Sequence, residues 1–370
     1  MPPKTTLWPI GPHTPAKHRI LRSYLSAWLP IMALSRQGRV VFVDGFAGPG
    51  KYSGGEDGSP IIALRALLEQ RDDVKSKAHV TYIFVEEHAG RATHLEETVA
   101  PLRASLPSGC EAHVRRGGFD EAINGLLDDL GASGEQLAPC FVMVDPFGVS
   151  GIPMRGLSRI LANPKSELYI SFMYEAINRH KETGEFEPHL DDLFGTEEWR
   201  NGIDMPESDS RRQFFYDLYT RQLKHAGANH VLWFELFNGN RHVYTVFFAT
   251  KHLRGCDRMK EAMWRVAPDG AFEFRGSNSG QLSLPELMSA NLLELKRELR
   301  REFGGRADVP IETMQDWIQS DQTDFYSAHL KRTLREMEAE NELSARSVNA
   351  KPRRRGFYPA GTLVTIRVSV

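Results

Sequence analysis

Cysteine is scarce. Cys110, Cys140 and Cys256 are the only three in 370 residues, and they lie too far apart for metal-ligand spacing. Each sits in or beside an apolar segment, where ordinary packing accounts for it, as expected of a reducing compartment. No apolar run approaches membrane-spanning length. The opening MPPKTTLWPIGPHTP carries prolines where a signal peptide needs an apolar core. The expectation is a soluble, cytoplasmic protein without membrane contact. An excess of one charge is missing as well, with 46 Lys and Arg against 48 Asp and Glu, a formal net of -2. Any contact with a polyanion must therefore come from a local patch. Internal repeats and long low-complexity tracts are absent.

The length allows two domains. Thr14-Pro15 reads as the N-cap and first position of a helix over 14–34, with Ile20, Leu21, Tyr24, Leu25 and Trp28 on one face. Strand-like runs follow at 40–44, 80–86, 111–116, 140–145 and 167–173, separated by helical or loop stretches. Apolar runs capped by acids are the pattern of buried parallel strands, and their alternation with helices predicts a doubly wound, Rossmann-like α/β sheet. A polar, acid-rich section at about 178–209 reads as an insertion over the sheet. VLWFELF (231–237) and VYTVFFATK (243–251) read as a hairpin. A closing hairpin after five parallel strands suits a class I methyltransferase sheet better than a nicotinamide fold. The boundary falls near 275–283, giving an α/β domain over 1–275. Residues 283–370 supply helices at 283–303, 311–320 and 324–340 and then two strands, the order of a winged helix-turn-helix.

The stretch VVFVDGFAGPGKYSGG (40–55) admits two chemistries. Gly45, Gly50 and Lys51 approximate a phosphate-binding P-loop, and Asp145 at the end of FVMVD could pass as its magnesium-holding acid. However, Tyr52 stands where the metal's hydroxyl ligand belongs. Asp44, Phe46, Gly48 and Gly50 alternatively form the D-x-F-x-G-x-G loop of S-adenosylmethionine-dependent methyltransferases. Asp44 would hold the cofactor's ammonium, and the glycines would admit its close approach. Glu86 ends the second strand, where a carboxylate can accept both ribose hydroxyls. Phe119 and Asp120 follow the third strand, with the acid placed for the adenine amine. Lys17, in the first helix, could approach the cofactor carboxylate. KYSGGEDG (51–58) is a longer exit from the loop than most methyltransferases have. Metal ligands are not expected.

The fourth strand ends in Asp145, Pro146, Phe147 and Gly148. This tip resembles the D-P-P-[YF] motif of methyltransferases acting on exocyclic amines of nucleic-acid bases, and its D-P-F-G form that of enzymes methylating guanine N2 in tRNA. A conjugated amine is a poor nucleophile. An Asp carboxylate and a proline-held carbonyl can accept its hydrogens while Phe147 stacks on the base.

Trp8 with H-T-P-A-K-H (13–18), DGFAGPGKY (44–52), GSPIIAL (58–64) and DPFG (145–148) together resemble the bacterial three-Cys-motif partner protein family. That resemblance implies a class I methyltransferase-like domain followed by a winged helix. It also implies a separate three-cysteine, radical-enzyme-like protein as partner. The family's name refers to cysteines of that partner, not to those of this chain.

Residues 331–367 carry nine Lys and Arg against four Glu. Lys331, Arg332 and Arg335 fall on the helix in the recognition position, and Lys351, Arg353, Arg354 and Arg355 in the loop between the two strands. Such a patch can meet the phosphates of RNA or DNA. The expected function is methylation of an exocyclic base amine in RNA or DNA. The alternatives are a non-catalytic, cofactor- or nucleic-acid-binding partner of a neighbouring enzyme and, third, a P-loop NTPase.

Overall fold

The computed structural model describes residues 5–35, 38–180, 183–239, 241–268, 273–275, 284–348 and 353–367. Two compact units divide the chain.

The first is built on β1 (Arg39–Asp44), β2 (His79–Glu86), β3 (Glu111–Arg116), β4 (Cys140–Val144) and β5 (Ser166–Phe172). These positions match the expected strands to within one residue at each end. Every residue of β4 and β5 is buried, as a strand covered on both faces requires. An antiparallel hairpin, β6 (His230–Asn238) and β7 (Arg241–Thr250), and the two-residue β8 (Glu273–Phe274) complete the order β3-β2-β1-β4-β5-β7-β6-β8. Because β1 pairs in parallel with both β2 and β4, the chain runs outward to β3, then returns to the centre and runs the other way. That reversal leaves a crevice at the carboxyl ends of β1 and β4, where open α/β sheets take their ligands. With β7 antiparallel between β5 and β6, this is the strand order of a class I methyltransferase sheet.

Helices α1 (Thr14–Ala33), α2 (Ser59–Leu68), α3 (Asp72–Lys75), α4 (Ala89–Arg103), α5 (Phe119–Ala132) and α6 (Met154–Ala162) surround the strands. Pro15 lies in the first turn of α1, where its missing N–H removes no hydrogen bond, and the cap is His13 rather than Thr14. The expected apolar face of α1 is buried. Its Tyr24 ring lies 5.1 Å from Phe248 and 5.5 Å from Phe141, which itself stacks on Phe42. The Tyr24 hydroxyl donates to Glu167 Oε2 at 2.6 Å, and Thr250 donates to Oε1 at 3.0 Å. Burial pushes the Glu167 carboxyl up to about 7.

On the opposite face lie α7 (Tyr174–His180), α8 (Glu187–Phe194) and α9 (Ser208–His225). The section expected as an insertion over the sheet supplies Leu190, Leu193, Phe194 and Trp199 to the main core. Its acid-rich composition conceals that role, because the acids face outward; Asp191 and Glu187 accept from Arg200. Among the described residues no helix is long and apolar enough to cross a membrane. All three cysteines are free, and burial pushes the Cys140 thiol up to about 12.

The second unit contains α10 (Leu253–Trp264), α11 (Leu284–Phe303), β9 (Val309–Pro310), α12 (Ile311–Gln319), α13 (Ser327–Ala339), β10 (Leu343–Ser347) and β11 (Thr362–Ile366). The three helices and two strands expected here are present, and β11 lies between β10 and β9 in a small antiparallel sheet. The chain passes from the first unit to the second within the expected 275–283, but α10 already belongs to the second unit, while Glu273 and Phe274 pair with β6 of the first. The reason is Lys260. Its ammonium is fully buried and donates to the carbonyls of Ile318, Ser320 and Thr323 at 2.5, 2.7 and 3.0 Å. This cation closes the carboxyl end of α12, where helix carbonyls lack partners.

Replacing Lys260 with Met strands three buried carbonyls, and urea unfolding is expected to show a loss of about 3 kcal/mol. A loss below about 0.5 kcal/mol would refute the structural role given to the ammonium. A second expectation concerns pH. Glu167 binds its proton more tightly folded than unfolded, so its stabilisation is complete below the unfolded value near 4.5 and is lost as pH rises through about 7. Glu167→Gln should flatten the stability profile over that interval by about 3 kcal/mol relative to the parent. Parallel profiles for the two proteins would overturn this assignment.

Candidate functional site

The loops leaving β1 and β4 meet at the switch point. Gly45 N–H donates to Met143 O and Ala47 N–H to Val85 O, both at 2.9 Å, so the glycine loop is sewn to its two neighbouring strands. Gly48 and Gly50 have φ of +62° and +82°, which a side chain would strain. A Cβ on Gly50 would lie 2.9 Å from Leu95, so this glycine serves packing against α4 as well as backbone shape. The long exit at 51–58 closes on itself: Gly58 N–H donates to Gly50 O at 2.8 Å, and Tyr52 N–H donates to Glu56 O at 2.9 Å. Ser53 N–H donates to Trp8 O at 2.9 Å, tying this turn to the segment before α1.

Two clefts open here, of about 200 and about 1310 Å³, with Phe46, Pro146 and Phe147 lining both. The smaller is walled by Trp8, Lys17, Gly48, Tyr52, Asp145 and Tyr244. Lys17, from α1, and Asp145, from the tip of β4, form an ion pair in it, their side chains 5 % and 24 % exposed. The Lys17 ammonium also lies 5.2 Å from the centre of the Tyr244 ring. Burial alone would raise the Asp145 carboxyl, but Lys17 overcomes it and holds the group below the ordinary range. Burial next to that cation lowers His13 and takes His18 down to about 3, so both imidazoles are neutral.

The larger cleft is lined by Glu86, Arg91, Gly117, Phe119, Asp120 and Gly148, among others. Glu86 accepts from Gly48 N–H and His88 N–H, each at 2.9 Å. Asp120 accepts from Asn124 at 2.9 Å and retains a partly exposed carboxylate. The Phe119 ring presses on Gly45, where any Cβ would fall 2.3 Å from it. Phe147 is 43 % exposed between the clefts, 5.5 Å from the Trp8 ring, with the Arg91 guanidinium over both.

The structure thus brings Lys17, Phe46, Gly48, Gly50, Glu86, Phe119, Asp120 and Asp145 to Gly148 around one crevice. Asp44 differs from expectation. It is fully buried beneath the loop and accepts from Ser59 Oγ at 2.5 Å and Phe46 N–H at 3.2 Å. Burial pushes it up to about 7. Asp44 therefore fastens the loop to α2 rather than facing a ligand's ammonium. Tyr244 and Arg91 escaped the sequence reading, because a strand tyrosine and a helix arginine carry no motif. Trp8 and Tyr52 were visible but without a role. Among the described residues no His, Cys, Asp and Glu cluster suits a metal.

In the second unit the basic residues divide. Arg353 is 7 % exposed, paired with Glu338 and stacked 4.9 Å from the Tyr358 ring centre. Arg355 donates to the Glu338 and Ala339 carbonyls. Both arginines secure the loop to α13, but only Arg353 is withdrawn from solvent, contrary to expectation, while Arg355 stays exposed. Lys331 and Arg335 line an open groove, while Arg332 lies 3.7 Å from Glu336. Lys351 lies outside the described residues.

No protein-family model matches the chain, and no curated protein sequence resembles it significantly. Solved structures overlap part of it. An O-methyltransferase from Bacillus cereus in complex with SAH shares 11% identity over 62% of this chain and 80% of its own, with a TM-score of 0.33. The O-methyltransferase TomG from Streptomyces achromogenes, in complex with SAM, shares 15% over 62% and 79%, also at 0.33. The METTL16 MTase domain shares 12% over 61% and 66%, at 0.31. At this level of overlap they carry no inference about cofactor or reaction, and the fold assignment stands on the strand order.

Proposed function

We propose that this protein is an S-adenosylmethionine-dependent methyltransferase acting on an exocyclic base amine in RNA or DNA. The carrying observation is the meeting of Lys17, the glycine loop and the Asp145-Pro146-Phe147-Gly148 tip at the switch point of the sheet. When bound, the cofactor supplies an electrophilic methyl group. The donor set suits it: Lys17 for its carboxylate, Glu86 for the ribose hydroxyls, Phe119 and Asp120 beside the adenine. Glu86 already accepts two backbone N–H bonds, but an ionised carboxylate retains further acceptor sites.

Asp145 stays ionised across the neutral range, so it serves as an acceptor that orients an amine rather than as a strong base. Phe147, exposed at the rim, offers a face for a flipped base. A second reading has its own support. Lys17 already engages Asp145, and Asp44 is satisfied internally, an arrangement equally suited to a non-catalytic partner of a three-cysteine protein. The NTPase reading has less, since Tyr52 occupies the cleft wall where a magnesium hydroxyl ligand is needed.

Titration calorimetry should show uptake of S-adenosylmethionine and none of ATP with magnesium; uptake of ATP alone would sink the proposal. Lys17→Met should weaken cofactor binding by about 10- to 100-fold, the scale of a charge-assisted hydrogen bond. With its cation gone, burial raises Asp145, so binding by this variant should also acquire a dependence on pH below neutrality. In transfer of tritiated methyl groups to total tRNA, rRNA and DNA, Asp145→Ala should lose about 100-fold or more. Persistent label in that variant would remove Asp145 from its role. No label with the parent protein on any pool would favour the non-catalytic partner.

A further inference from the structure

The second unit carries cations that the fold does not use. Arg254 on α10, Lys331 on α13 and Arg354 in the loop after β10 have no side-chain ion pair among the described residues. Arg335 spends one donor on Gly356 O at 2.9 Å and keeps the rest of its guanidinium. Arg254, Lys331 and Arg335 line a groove of about 510 Å³, and Arg335 and Arg354 line a second hollow beside it. One aromatic ring stands at the border of both: Phe357, 58 % exposed.

A ring this exposed is held in place rather than left loose. Phe357 N–H donates to Arg354 O at 3.1 Å, Gly356 N–H to Glu338 Oε2 at 2.7 Å, and the Tyr358 hydroxyl to Leu334 O at 2.8 Å. Gly356 has a φ of +74°, the left-handed turn that presents the ring. The fold therefore fixes an apolar plane in water, among free cations. Single-stranded nucleic acid complements that combination, because its bases expose flat faces for stacking while its phosphates meet the cations. A duplex hides those faces in its own stack and leaves Phe357 without an occupant.

We propose that this groove binds single-stranded RNA or DNA, with Phe357 as the stacking platform and Arg254, Lys331, Arg335 and Arg354 along the phosphates. It deepens the nucleic-acid part of the proposed function and takes from that reading only the class of polymer. Arg353, held by Glu338, has no part in it beyond shaping the loop, whereas Arg355 also lines the second hollow.

The test is fluorescence anisotropy on the full chain with a labelled RNA of about 12 nucleotides, single-stranded or annealed to its complement. The single strand should bind about tenfold or more tightly than the duplex, and Phe357→Ala should weaken it about tenfold without affecting the duplex. The Arg254→Glu, Lys331→Glu pair should reduce the salt dependence of single-strand binding by about one to two units of slope. Arg22→Glu, on the other unit, controls for net charge, and an unchanged melting temperature for Phe357→Ala confirms folding. Duplex binding as tight as single-strand binding, indifference to Phe357→Ala, or no binding of either probe overturns the proposal. Calorimetry with S-adenosylmethionine on the same preparation separates the two claims. Cofactor uptake without RNA binding defeats the groove alone, and RNA binding without cofactor uptake defeats the methyltransferase alone.

Discussion

The ion pair of Lys17 with Asp145 is the constraint around which the site is arranged. It joins the first helix to the tip of the central strand across 128 residues of chain. A buried lysine without its partner would cost several kcal/mol, so the position of α1 on the sheet and the charge of Asp145 are decided together. Burial first, and then the same cation, lowers the two imidazoles beside it. Beside the pair, Trp8 lies over Gly48, and Phe147 stands between the two clefts.

Much of the first unit was legible in the sequence for a physical reason. Strands buried on both faces must be largely apolar, and β1, β2, β4 and β5 carry that pattern, with few polar residues such as Thr81 and Ser171 within them. The glycine loop and the Asp145 tip were legible because close turns restrict residue types. What could not be read is direction. Asp44 and Glu86 sit at strand ends as expected, yet one points under the loop and the other bonds to its backbone. Residues 178–209 looked peripheral because polar residues outnumber the few apolar ones that enter the core. α10 resisted placement because the carbonyls that fix Lys260 lie 58 to 63 residues later.

The second unit separates a count of charges from their availability. Glu338, almost fully buried, accepts from Arg353, Gly356 and Tyr358 and so converts part of a basic run into a brace. A carboxylate in that place keeps the loop against α13 and sorts the arginines into those that hold the fold and those that face water. Sequence alone gives all of them the same letter.

The separation of Lys17 from Asp145 has a consequence for synthesis. At about 5–20 residues per second, some 6 to 26 seconds pass between the appearance of the lysine and that of its counter-ion. Throughout that interval α1 has an apolar face and a cation destined for burial, and no completed sheet to receive them. The helix can dock only after β4 has emerged, although it was made first. The crevice is therefore among the last features of the first unit to close, and Tyr244 on β7 completes its wall later still.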